Sequence, residues 1–347
     1  MRLKKIDEQV IVLTGATSGI GLVTAREMAK RGAKLMLTAR NGDALRALVN
    51  ELKVDGCEAR WKQADVASEK DLHAVADKAI ENFGRIDTWI NNAGVSIYGK
   101  LEEITDEDSR RLFDTNFWGV VNGSRAALEK MRARGGALIN VGSTLSDRAI
   151  PLQGMYCASK HAVKGFTEAL RMEIEADDLP ISVTLIKPAA IDTPYKDHSK
   201  NYLNVQPENP PPVYSPETVA HAIMHAAEHQ VRDIFVGAGA KAISLLGEVV
   251  PRITDRLMEA TMVDLQTTDE PSNGRDKEGL YKSNDSSLSE RGGYPGHVAE
   301  SSFYTRASLH PVATGTVAAL AIGGVAYALV KVTGVGSPGA SRDVSKN

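Results

Sequence analysis

Cysteine is the scarcest signal in this sequence: only two occur in 347 residues, Cys57 and Cys157. Two thiols cannot build a disulfide framework or a cysteine-rich zinc site, and they suit a reducing compartment; no metal site is expected. No basic block is present and the formal net charge is −3, which argues against a nucleic-acid-binding face. The opening residues, Met1-Arg2-Leu3-Lys4-Lys5-Ile6-Asp7, lack the apolar core of a secretion signal. There is no internal repeat. What the chain does have is 42% hydrophobic residues, ample for the core of one large domain or two ordinary ones.

From residue 9 to residue 237 strand-like and helix-like segments alternate. Strands are expected at Val10 to Leu13, Lys34 to Thr38, Ala59 to Gln63, Thr88 to Asn91, Ala137 to Val141, Ser182 to Ile186 and Asp233 to Val236. Helices are expected at Leu22 to Lys30, Asp43 to Lys53, from Ser68 to Phe83, from Asp106 to Arg134 and from Tyr156 to Ala176. Ser68 is placed as an N-cap, with Glu69 and Asp71 in the first turn. Ser215-Pro216-Glu217 opens a further helix, with proline at the first helical position. Short apolar strands alternating with helices predict an α/β fold with a parallel sheet covered on both faces. Ligands of such sheets lie beyond the carboxyl ends of the strands.

The stretch Thr14-Gly15-Ala16-Thr17-Ser18-Gly19-Ile20-Gly21 lies at such a strand end and leads into a helix. A helix N-terminus offers unpaired N–H groups to an anion, and glycines let the backbone approach a pyrophosphate. Taken alone, the turn is equally well a tight structural corner. Tyr156 and Lys160 stand four residues apart, so on a helix they share a face. An ammonium beside a phenol favours the phenolate and draws its pKa towards working pH, and such a phenol can give or take a proton at a carbonyl or alcohol oxygen. An isolated pair of this kind is otherwise a surface pair. Ser143 follows a strand and aims a hydroxyl at the ligand crevice, or is an ordinary turn serine. Asp65-Val66 ends the third strand, where the carboxylate can accept from an adenine amino group or cap a helix. Asn91-Asn92-Ala93-Gly94 ends the fourth strand, and Asn116 lies in the long helix.

These pieces occur together, in order and at fitting element ends, and over about residues 8 to 240 the chain resembles the short-chain dehydrogenase/reductase family. The resemblance rests on Thr14 to Gly21, Asp65, Asn91 to Gly94, Asn116, Ser143, Tyr156, Lys160 and Pro188 to Thr193. It implies a doubly wound Rossmann-type sheet of seven parallel strands. It makes Tyr156 the general acid/base, with Lys160 lowering its pKa and holding the nicotinamide ribose. Ser143 positions the reacting oxygen, and Asn116 holds a water that links Lys160 to solvent. The implied cofactor contacts are Gly15, Thr17, Ser18, Gly19, Ile20, Gly21, Asp65, Val66, Asn91, Ala93, Gly94, Tyr156, Lys160, Pro188, Ile191 and Thr193. One departure is Pro188-Ala189, where the family usually has Pro-Gly. The spacing to Thr193 is kept, so a small local adjustment is expected.

The end of the second strand bears on the choice of cofactor. A carboxylate there would bind the ribose 2′-hydroxyl of NAD. Here the stretch is Leu37-Thr38-Ala39-Arg40-Asn41, with no acid before Asp43. Arg40 can meet a 2′-phosphate with its planar fork, or stack on adenine. The expectation is NADP(H), and an oxidoreductase interconverting a carbonyl and a secondary alcohol. Ile97, Leu145, Ile150, Leu152 and Met155 suggest an apolar substrate wall, hence a lipophilic small molecule. The competing reading is a non-catalytic NADP(H)-binding regulator or scaffold at a membrane. The intact set of Ser143, Tyr156 and Lys160 speaks against it.

The rest of the chain divides by composition. Residues 1–240 are expected as the catalytic domain and 241–265 as a helical extension split by Pro251. Residues 196–215, with Asn209-Pro210-Pro211-Pro212, are expected as a loop covering the site. Residues 266–310 are polar and expected as a flexible linker. Val312 to Val330 carries no charge across nineteen residues, near the minimum for a bilayer span. It reads as a membrane-anchoring or interfacial helix within 311–332, or as a tail packed on the core or on a partner subunit. Residues 333–347 form a polar tail. A homo-oligomer is expected, with the catalytic domain cytoplasmic. Charge bias would place the short tail inside, in conflict with a cytoplasmic NADP(H)-binding domain on the other side of a single span.

Overall fold

The computed structural model describes residues 2–272, 279–283 and 288–309. One parallel sheet of seven strands organises it. The strands are β1 (Val10–Thr14), β2 (Lys34–Ala39), β3 (Ala59–Gln63), β4 (Thr88–Asn91), β5 (Gly136–Val141), β6 (Ile181–Pro188) and β7 (Asp233–Val236). Their order across the sheet is β7-β6-β5-β4-β1-β2-β3, and every neighbouring pair is parallel. The order reverses between β1 and β4, so the crevice for a ligand opens there. This is the Rossmann-type α/β fold. All five residues of β1 are buried, which is why its sequence runs apolar without alternation.

The helices are α1 (Gly19–Lys30), α2 (Gly42–Val54), α3 (Glu69–Phe83), α4 (Asp106–Phe113), α5 (Gly119–Met131), α6 (Gly154–Ala176) and α7 (Pro216–Glu228). Two more, α8 (Ala238–Val249) and α9 (Pro251–Leu265), form the extension, and α10 spans Phe303–Leu309. α1 packs on α7 and α3 on α5. Under α3 and α5 the core joins Leu72, Val75, Trp89 and Leu138. Ser68 caps α3 by accepting from the Asp71 N–H. α8 stops before Pro251, which lacks the N–H a continuous helix needs. Met1–Thr305 form one compact unit and Arg306–Asn347 a second.

Three expectations are corrected. The long helix from Asp106 to Arg134 is broken by a π turn at Asp114–Trp118, where the Gly119 N–H donates to the Asp114 carbonyl. Such a turn often marks a functional position, and Asn116 lies in it. Residues 196–215 are not irregular throughout: Ser199–Asn201 pair with Ser96–Tyr98, and Val213–Tyr214 pair with Ala190–Ile191. The described parts of 266–310 are not a free linker. Thr267–Pro271 pair with Val205–Pro207, and Val298–Ala299 with Val213–Tyr214. This segment is held by backbone hydrogen bonds and ion pairs such as Arg291 to Glu217, so its contacts leave little apolar pattern. Val312 to Val330 lies outside the described residues. Among the described residues no helix is long and apolar enough to cross a membrane. Cys57 and Cys157 are both free and buried.

Candidate active site

The glycine turn joins β1 to α1 and is shaped by close backbone approach. Gly15 and Gly19 take φ of +67° and +49°, values that favour glycine. A Cβ on Gly21 would lie 2.0 Å from the Gly15 carbonyl oxygen. The turn is tied to β4 by Asn92, whose Nδ2 donates to the carbonyls of Thr14 and Gly15, and by Thr14 Oγ1, which accepts from the Asn92 and Ala93 N–H groups.

The expected residues Gly15, Thr17, Ser18, Gly19, Ile20 and Gly21 line one groove of about 320 Å³. So do Arg40, Asp65, Val66, Ala93, Gly94, Pro188, Ile191 and Thr193. Ser143, Tyr156 and Lys160 line the same groove. Two expected residues do not. Asn91 is 3% exposed. Its amide is spent inside the sheet, donating to Asn140 Oδ1 at 2.9 Å and accepting from the Trp89 indole at 2.8 Å. The last strand residue points into the packed layer, whereas Asn92, one step beyond, reaches the groove. Asn116 is likewise fully buried. Its Oδ1 accepts from the Val95 N–H, and its Nδ2 donates to the Val95 carbonyl and to Ser159 Oγ. It sits behind the groove, against Gly94, where a Cβ would lie 3.5 Å from Asn116 Oδ1 and 3.8 Å from Lys160 Nζ.

Tyr156 and Lys160 share a face of α6, as their spacing predicts. The Lys160 ammonium lies 5.7 Å from the Tyr156 ring centre and donates to the Val141 carbonyl at 2.9 Å. The Ser143 hydroxyl accepts from the Leu145 N–H and lines the same groove as Tyr156. The expected electrostatics are corrected. Burial pushes Tyr156 up to about 12, outweighing hydrogen bonds with Tyr195 and Ser143 that draw it down. Burial likewise lowers Lys160 to about 8. Desolvation disfavours the charged form of each, and the lysine spends a donor on a carbonyl.

Several neighbours escaped the sequence reading. Tyr195 stacks edge-on against Tyr156, with ring centres 5.6 Å apart, and its hydroxyl donates to Gln153 Oε1 at 3.2 Å. Gln153 in turn donates to Gln266 Oε1 at 2.8 Å. None of these follows a motif; only the position of Tyr195 two residues past Thr193 hints at it. The turn after Ser143 is anchored by Asp147, whose carboxylate meets Lys164 at 2.6 Å, Lys187 at 3.1 Å and Ser244 Oγ at 3.0 Å. Arg40 is engaged: its Nη1 and Nη2 donate to the carbonyls of Leu280 and Gly279. Asp65 is paired with Arg111 at 2.6 Å. Leu145, Ile150, Ile243, Met258 and Met262 line the apolar side of the groove. Of the expected apolar wall, Leu145 and Ile150 are present, while Ile97, Leu152 and Met155 do not line it.

The residues fit a dinucleotide. The backbone cradle at Gly15 and Gly21 admits no side chain, and the buried hydroxyl of Thr115, a groove residue, has no hydrogen-bond partner among the described residues. Among known proteins, an uncharacterized oxidoreductase, YxnA, of Bacillus subtilis is 48% identical over 334 residues, covering 95% of this chain and 93% of that protein. An uncharacterized oxidoreductase of Staphylococcus saprophyticus is 34% identical, covering 65% of this chain and 92% of that protein. A solved alcohol dehydrogenase of Thermococcus sibiricus, complexed with 5-hydroxy-NADP, is similar with a TM-score of 0.58 and 26% identity, covering 66% of this chain and 95% of that chain. Residues 9–203 match the family model for short chain dehydrogenases, and with the seven-stranded sheet and its groove in place, this chain belongs to the short-chain dehydrogenase/reductase family of oxidoreductases.

Proposed function

We propose that the chain interconverts a carbonyl and a secondary alcohol on a lipophilic small molecule, using NADP(H). The observation that carries this reading is that Ser143, Tyr156 and Lys160 line the groove that the glycine turn and Arg40 also line. In the reducing direction Ser143 and Tyr156 hold the substrate oxygen, and Tyr156 gives it a proton. A phenol near 12 is protonated at neutral pH, the form this step needs. The bound nicotinamide would supply the hydride. Lys160 shares the face of α6 with the phenol, while Asn116 holds the Val95 backbone beside Gly94. Gly15 to Gly21 would cradle the pyrophosphate at the start of α1.

Support for NADP(H) comes from Arg40 at the end of β2, where no acid stands before Asp43. Two of its N–H groups are engaged with carbonyls, and a guanidinium has five, so donors remain for a phosphate. Burial and the neighbouring Arg111 lower its pKa, an unfavourable field that a phosphate would relieve. The apolar wall of Leu145, Ile150, Ile243, Met258 and Met262, with the polar pole of Gln153 and Tyr195, supports a lipophilic substrate oriented by few polar contacts.

The test is a screen of carbonyl compounds with purified protein, following NADPH and NADH oxidation. NADPH is expected to be the better donor, and Arg40→Asp to reverse that order. Tyr156→Phe is expected to lower kcat by about 10²- to 10⁴-fold with NADPH binding retained. Parent protein that prefers NADH defeats the cofactor assignment, and unchanged turnover in Tyr156→Phe defeats the mechanism.

A further inference from the structure

The groove has a wall that the family model does not reach. The matched family segment ends at residue 203. Residues 279–283 and 288–292 nevertheless run along the same groups that the cofactor reading uses. The carbonyls of Gly279 and Leu280 accept from Arg40 at 2.6 and 2.9 Å. Leu280 also accepts from Arg111 Nε, the residue paired with Asp65. Its side chain is fully buried in a cluster that includes Val95, Ile97 and Tyr156. Further on, the Leu288 N–H donates to the Thr17 carbonyl at 2.7 Å, and the Ser289 carbonyl accepts from the Gly19 N–H at 2.9 Å. That N–H belongs to the first turn of α1, where an amide has no partner within the helix.

Both stretches are fastened to the body. The Tyr281 hydroxyl donates to Asp108 at 2.7 Å. The Gly292 N–H donates to Asp192 at 3.0 Å, and Glu290 meets Arg26 at 2.6 Å. At Gly279 and Gly292 backbone meets backbone: a Cβ would lie 2.4 Å from His198 Cα and 2.1 Å from the Thr193 carbonyl oxygen. The segment does not fill the groove. About 320 Å³ remains open, lined by Gly15, Gly21 and Arg40 and, from this segment, by Ser283.

We propose that residues 279–283 and 288–292 form the outer wall of the dinucleotide groove, and that bound NADP(H) leaves only when this wall lifts. The inference rests on the reading of the groove as a nicotinamide dinucleotide site. A segment that holds Arg40 through two carbonyls while the groove beside Arg40 stays open has the arrangement of a cover over a ligand. A competitor would take the ligand's place. The wall also aims the guanidinium, so it shares in selecting the 2′-substituent.

Two full-length variants test this. Gly279→Ala wedges the wall away from His198, and Tyr281→Phe removes its bond to Asp108. NADPH release is followed by stopped-flow fluorescence for the parent and both variants. Loss of one ordinary hydrogen bond is worth about a factor of ten, so release is expected to quicken about tenfold in each, with weaker binding. In the parent, hydrogen exchange at residues 279–283 and 288–292 is expected to slow when NADP⁺ is added. Parent protein that binds neither NADPH nor NADH removes the dinucleotide reading and the wall with it. Parent protein that binds, with release unchanged in both variants, removes the wall alone. Tighter binding in the variants overturns it in favour of a competing segment.

Discussion

Lys160, which lines the groove, is expected to destabilise the fold, by an amount that its burial allows to be worked out. Lys160 is 4% exposed. Among the described residues no carboxylate pairs with it, and burial lowers it from 10.5 to about 8. That drop corresponds to about 3 kcal/mol. Replacing Lys160 by methionine keeps the stem and removes the charge. The Val141 carbonyl loses the ammonium donor, which offsets about 1 kcal/mol. Lys160→Met is therefore expected to be more stable than the parent by about 2 kcal/mol at pH 7. The pH dependence has a definite direction. Below about 8 the lysine is charged in both states, and the fold bears the whole penalty. From there to 10.5 the unfolded chain keeps its proton while the folded chain sheds it, so parent stability rises with pH. Above 10.5 the penalty is gone. Urea unfolding of parent and variant at pH 7 and pH 10 reads the difference directly. It should shrink at the higher pH, because groups common to both proteins cancel. A variant less stable at pH 7, or a gap that does not change with pH, would refute the reasoning. Under the proposed mechanism activity is expected to be lost in Lys160→Met, a trade of stability for function.

Two further perturbations probe the surrounding scaffold. In Asp147→Asn, Lys187, whose side chain is 5% exposed, loses its anion; unfolding free energy is expected to fall by about 3 kcal/mol, measured by urea titration. Burial would raise the Asp147 carboxyl, but bonds from Lys164 and Lys187 hold it below its ordinary value. Its contribution is thus present above the unfolded carboxylate pKa and lost as pH falls through the folded one, and the variant should have a shallower acid transition. In Gly21→Ala, the new Cβ would meet the Gly15 carbonyl oxygen at 2.0 Å, so the turn must open; about 1 to 3 kcal/mol of stability is expected to go, and added NADP⁺ should no longer raise Tm.

The sheet was legible because its central strands, such as β1 and β4, are buried on both faces and read as short runs between helical segments. Ala59–Gln63, Thr88–Asn91 and Asp233–Val236 have the bounds that their composition suggests. The pairing of Tyr156 with Lys160 followed from helical spacing alone. The π turn at Asp114–Trp118 was not legible, because one extra residue in a helical turn changes no composition signal. Nor was the role of Asn91, since which of two adjacent asparagines faces the groove depends on where the strand stops. The direction of the Tyr156 shift was misjudged because spacing reports proximity and not dryness. Lys160 is near, but both groups are out of water, and desolvation is the larger effect for each.

The polar C-terminal stretch was the hardest to read, and the reason is physical. Composition detects segments that bury side chains. Residues 279–292, in their described parts, are held mainly through carbonyls, N–H groups and surface carboxylates, which any sequence supplies. The same logic explains the division of labour along the chain. Ser143, Tyr156 and Lys160 lie within residues 9–203, in the part fixed by the sheet. Ile243, Met258 and Met262, which wall the apolar side of the groove, lie beyond it. Ser244 reaches back to Asp147, four residues after Ser143, and Arg148 pairs with Asp255 of α9. The extension is thus bonded to the turn that carries the serine. A change in α8 or α9 acts on the substrate side of the groove through its lining and on Ser143 through Asp147, while leaving the glycine cradle at the far end untouched.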